Sequence, residues 1–139
     1  MATQDLENAQ SQAQTQAACI VELMTALEAA READGPVDYD GDTLDADALE
    51  ERAQEMPLSV EVRSDWHTPG GDSSNAEYAI LLCTGGPAVR LTGPLGQYNE
   101  PDDVRLECQD WFTPWTPCRV DEATDKALLD FARLCYYGD

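Results

Sequence analysis

Apolar positions recur at helical spacing from residue 4 to residue 33. Leu6, Ala9, Ala13, Ala17, Ile20, Met24 and Leu27 step by three or four, which puts them on one face of a long helix. Leu6, Ala13, Ile20 and Leu27 also lie seven apart, so the stripe has two uses. It can pack on its own domain, or it can form a helix–helix seam and a homodimer. The helix should stop near Asp34-Gly35-Pro36, with the glycine taking the left-handed cap. An acidic loop is expected next, then a short helix from Leu44 to Gln54 with Asp42 or Thr43 as N-cap. Met56-Pro57 ends it.

From Pro57 the period changes to two. Leu58, Val60 and Val62 alternate with Ser59, Glu61 and Arg63, which predicts a strand with one wet face. Tyr78 to Cys83 is the most apolar run and reads as a central strand. Thr84-Gly85-Gly86-Pro87 predicts a tight hairpin into a strand over Ala88–Thr92. Val104, Leu106 and Cys108 mark a fourth strand. Asp121 to Tyr136 reads as a closing helix, with Leu128, Phe131 and Cys135 on one stripe. The expected fold is α+β: a four-stranded antiparallel meander with a C-terminal helix, preceded by a long helix and a short acidic one. Residues 1–56 form the helical acidic part in this reading, and residues 57–139 form the sheet domain.

Charge then narrows the function. The 139 residues carry 28 acids against 8 bases, a net of −20. That argues against direct nucleic-acid binding, which needs clustered Lys and Arg, and against an anionic membrane surface. It favours a cationic partner, or solubility alone. Residues 34–55 hold nine acids and one arginine, so the charge is concentrated there. The five cysteines show no CxxC spacing, no secretory apolar segment follows Met1, and no apolar run is long enough to span a membrane. A reduced cytoplasmic protein with mostly core cysteines is expected.

Motifs for chemistry are sparse. Asp38-Tyr39-Asp40-Gly41-Asp42 opens like a calcium loop, but position six is Thr43 and position twelve is Leu49. His67 is the only histidine, which removes multi-histidine zinc sites. A pair of Cys83 with His67 would place the thiol in the most apolar strand, where its reactivity falls. No nucleophile elbow or phosphate loop is present. No metal, cofactor or catalytic residue is expected, and a small carboxylate-based enzyme stands as a distant alternative. Trp66, Trp111, Trp115 and Tyr136-Tyr137 sit at element ends. They form either a plug between the sheet end and the last helix or exposed anchors for a partner.

Residues 56 to 137 resemble a small protein that recurs in bacteriophage and prophage genomes. The matching pieces run from Pro57 to Trp66, from Glu77-Tyr78 through Leu82, from Thr84 to Arg90, from Leu106 to Trp111, and over Thr113-Pro114-Trp115-Thr116. The resemblance implies a phage context, a bacterial host cytoplasm and no established catalytic residues. Small acidic phage proteins of this size and charge, anti-CRISPR inhibitors among them, act by occupying a host protein. The expectation is therefore a non-enzymatic inhibitor of a host nucleic-acid-binding complex, with a CRISPR–Cas effector foremost. Its acidic surface would imitate nucleic acid through Asp34, Asp38, Asp40, Asp42, Asp45, Asp47, Glu50, Glu51 and Glu55, with Trp66, Trp111 and Trp115 as further contacts. The alternative within the same context is an accessory interaction module without mimicry.

Overall fold

The computed structural model describes residues 2–64, 66, 68–70, 75–84, 87–96, 99–110, 114–135 and 137. The elements in chain order are α1 (Ala2–Ala33), β1 (Val37–Tyr39), β2 (Asp42–Leu44), α2 (Ala46–Glu55), β3 (Ser59–Ser64), β4 (Asn75–Cys83), β5 (Pro87–Pro94), β6 (Arg105–Asp110), β7 (Thr116–Cys118) and α3 (Glu122–Ala132). The fold is α+β with an antiparallel sheet, as the change of period requires. The sheet has five strands rather than four, in the order β3-β4-β5-β6-β7. The extra strand is β7, three residues around Pro117 with no alternation to betray it. Its pairing with β6 sets Leu106 against Cys118 and Cys108 against Thr116.

Helix α1 lies across β5 and β6 and packs on both α2 and α3. Ala9, Ala13, Ala17, Ile20, Met24 and Leu27 are all buried, joined by Leu23 and Ala30. Small side chains in the first half let the helix approach the sheet, and larger ones later fill the gap to α3. From Ala9 to Leu27 the stripe offered as a dimer seam is thus covered by the chain's own sheet and helices. One hydrophobic cluster contains Ile20 and Leu49 from the first 56 residues together with Ile80, Leu91, Leu106 and Phe131 from the rest. Among the described residues no helix is long and apolar enough to cross a membrane.

Helix ends differ from expectation in three places. Helix α3 stops at Ala132 rather than running on to Tyr136. Asp34, not Gly35, takes the left-handed position after α1, with φ 50°, and the Gly35 N–H donates back to the Ala30 carbonyl. Helix α2 starts two residues late, because Asp45 is its N-cap and accepts from the Ala48 N–H at 2.9 Å. The freed residues Asp42–Leu44 form β2. At the other end of the chain α3 is capped by Asp121, which accepts from the Thr124 N–H at 2.7 Å. Gly85 and Gly86, expected as the hairpin turn, lie outside the described residues, but the flanking strands pair as that hairpin requires.

Candidate functional site

The expected acidic loop is instead a β-hairpin. Val37, Asp38 and Tyr39 pair with Leu44, Thr43 and Asp42. The two residues between the strands, Asp40 and Gly41, both have positive φ, 51° and 81°, the signature of a type I′ turn. Val37, Tyr39 and Leu44 are half-buried against the core, which holds the hairpin on α1 and presents its acids outward. The Thr43 hydroxyl donates to Asp38 at 3.2 Å. Arg52 on α2 reaches Asp42 at 2.9 Å and Asp40 at 3.8 Å, and its guanidinium lies 5.8 Å from the Tyr39 ring centre. Burial first, then the charge of Asp40, holds the Tyr39 phenol above its ordinary pKa, and Arg52 partly offsets this. Among the described residues no cluster of three or more His, Cys, Asp or Glu side chains could hold a metal.

The nine acids of residues 34–55 therefore divide. Glu50 pairs with Arg31 across the α1–α2 contact, Asp42 and Asp40 pair with Arg52, Asp45 caps α2, and Asp38 accepts from Thr43. Asp34, Asp47, Glu51 and Glu55 are exposed, with no ion pair or side-chain hydrogen bond among the described residues. Leu49 and Ala53 are fully buried and fix the inner face of α2. Asp47, Glu51 and Glu55 then fall on the opposite face at successive four-residue steps, about 6 Å apart along the axis. The free carboxylates on this helix are thus spaced at nearly twice the ~3.4 Å per phosphate of a DNA strand. The other two acids from Asp45 to Glu55, Asp45 and Glu50, are engaged within the protein and do not add to this stripe.

Of the aromatic candidates, Trp66, Trp115 and Tyr137 are among the described residues. Trp66 follows β3 and is wholly exposed. Trp115 lies on the sheet face away from α1, with the Arg90 guanidinium 4.0 Å from its ring centre. Arg90 in turn donates to Glu107 at 2.8 Å, and the Thr92 hydroxyl donates to the same oxygen at 3.1 Å. Trp111, Tyr136 and His67 lie outside the described residues. Tyr137, one of the rings expected in a plug, packs into the core. Its ring sits 5.3 Å from that of Tyr78, and its hydroxyl donates to the Ala132 carbonyl.

Of the five cysteines only Cys108 is fully buried; Cys19 is exposed and the other three are half-buried. Cys108 and Cys118 face each other diagonally across β6 and β7, with sulfurs 3.1 Å apart. Burial, then the hydrogen bond with Cys108, pushes the Cys118 thiol up to about 12. Burial also raises Cys83, the thiol considered with His67. No protein-family model matches the chain, and neither a curated protein nor a solved structure matches it.

Proposed function

We propose that the protein is a non-enzymatic inhibitor that occupies the cationic nucleic-acid-binding surface of a host protein. The observation that supports this most directly is the α2 stripe of Asp47, Glu51 and Glu55. It is exposed, it stands opposite the buried face, and both arginines of residues 1–56 are drawn into internal ion pairs. No unpaired positive charge among the described residues interrupts that surface between Asp34 and Glu55. A Lys/Arg channel built for phosphates can accept such a stripe with gains from attraction and counterion release. The phage resemblance of residues 56–137 directs the choice of partner to a guide-loaded CRISPR–Cas effector.

The test measures target-DNA binding by purified effector complexes with the protein added, from about 50 to about 300 mM salt. Inhibition should weaken steeply with salt. Replacing Asp47, Glu51 and Glu55 by Asn, Gln and Gln should weaken it at least tenfold, about 1.4 kcal/mol. The same neutralisation at Glu7, Asp102 and Glu122, also exposed, should change it less than threefold. Inhibition untouched by the stripe variant overturns the mimicry reading. A second reading, an interaction module without mimicry, is favoured by the exposed apolar run at Leu58, Val60, Val62 and Trp66. That reading predicts partner binding that survives high salt and is lost in Trp66→Ala.

A further inference from the structure

The two edges of the sheet are built differently. The β7 edge has three residues with a proline at its centre, and such an edge cannot template another strand. The β3 edge has six residues and no proline, and its partner β4 covers only one side. Its core-side residues also outrun their cover, since α1 rests on β5 and β6. Val60 and Val62 pair with the buried Ile80 and Tyr78 of β4, yet they are 36% and 39% exposed, with Leu58 at 60%. All the exposed large hydrophobic side chains among the described residues lie in this one segment, Leu58 to Trp66. Monomers leave such a strand bare at the risk of pairing with whatever meets it.

Charge selects the occupant. Within a chain of net −20, β3 carries one Glu and one Arg and is neutral, so the strand itself adds no net repulsion between two copies. The sequence Val60-Glu61-Val62-Arg63-Ser64 is also self-complementary. In an antiparallel pair with a two-fold axis at Val62, Val62 faces Val62, and each Glu61 faces the other copy's Arg63. The valines then share the core side and the charges share the opposite side, because paired residues of antiparallel strands project to the same face. Arg63 already lies beside Glu77 of β4 in the register, so it would sit between two carboxylates. The break in the β3–β4 register falls after Arg63, which leaves the axis and both charge pairs in its regular part.

We propose that a second copy of this chain docks edge to edge on β3, continuing the five-stranded sheet through a two-fold axis at Val62. The contact is independent of the acidic stripe and of the inhibitory reading. The test is sedimentation equilibrium of the full chain from roughly 5 to 500 µM, in about 0.3 M salt to screen the net charge. The mass should rise with concentration toward twice 15.2 kDa. Glu61→Arg alone, or Arg63→Glu alone, sets like charges opposite each other twice across the axis and should weaken self-association at least tenfold. Mixed in equal amounts, the two variants regain both opposite-charge pairs and should associate within about threefold of the original protein. Circular dichroism of each variant checks that the fold persists. A monomer throughout that range overturns the proposal, and so does a dimer indifferent to both charge changes or a mixture that fails to recover.

Discussion

A β-carbon placed on Gly93 would stand 2.2 Å from the Asp103 carbonyl oxygen and 3.0 Å from a ring carbon of Tyr78. The segment before β6 crosses β5 at this point, and the Tyr78 hydroxyl donates to that same carbonyl at 2.7 Å. Neither neighbour can give way without losing this part-buried hydrogen bond. Gly93→Ala should therefore destabilise the protein by about 2 kcal/mol or more, as overpacking does, measured by urea unfolding. An unchanged midpoint would show that the crossing is not so close. Nothing in the local sequence marks this glycine as crowded, because the neighbour that excludes a side chain is ten residues away. The thiols make a second residue-scale case. Cys118 is pushed up to about 12 by burial and by its contact with Cys108, so its reactive thiolate is scarce at pH 8. Timed iodoacetamide labelling read by mass spectrometry should find the exposed Cys19 first and Cys108 and Cys118 last. Labelling of Cys118 as fast as Cys19 would contradict that environment.

Asp-Gly between Tyr39 and Asp42 is among the strongest short-range hairpin signals a sequence can carry, yet the spacing of three aspartates reads more readily as a failed calcium loop. The flanks hold the deciding pattern: Val37, Tyr39 and Leu44 give the hairpin enough apolar surface to lie on α1, and the aspartates are left outside. The long helix, the change of period at Pro57, three inner strands and the closing helix were legible for a related reason. Each carries enough periodic apolar residues to specify its own buried face. Strand β7 has three residues and no such period, and the face of β3 could not be read as exposed, because that depends on where α1 comes to rest. The two glycines of the acidic segment separate local conformation from packing. Gly41 needs φ 81° and a β-carbon there meets nothing within 4 Å. Gly41→Ala should therefore cost about 1 kcal/mol for backbone conformation alone. Gly35 is not in the left-handed region, and its β-carbon would approach nothing closer than 3.8 Å. Gly35→Ala should leave stability unchanged or raise it by about 0.5 kcal/mol. A cost at Gly35 equal to that at Gly41 would return the left-handed cap to the position the sequence suggested.

Among the described residues the excess charge stays on the outside, and most of the acids expected at the site are exposed, as any chain of net −20 would arrange them. Which of them are free depends on where Arg31 and Arg52 reach, and that follows from the packing of α2 on α1 rather than from spacing along the chain. The groups that respond to pH in the core are thiols and phenols instead. Burial raises Tyr78, Tyr137, Cys135 and Cys118, with Cys135 at about 11 and Cys118 at about 12. Each is neutral when protonated, and each has its folded pKa above the unfolded value, 9.0 for a thiol and 10.0 for a phenol. Above pH 9 the unfolded chain therefore releases protons that the folded chain retains, so stability must fall as pH rises. The contribution is fully present below pH 9, declines through the interval between the two sets of pKa values, and is lost above the folded ones. The urea midpoint should stay level from pH 7 to 8.5 on this account, then drop steadily toward pH 11. Cys118→Ala should drop less steeply over the same interval, whatever its stability at neutral pH, because one of the retained protons is gone. A midpoint that holds to pH 11 would mean that these four side chains reach water in the folded protein, and that the Tyr78–Tyr137 contact does not close the end of the core.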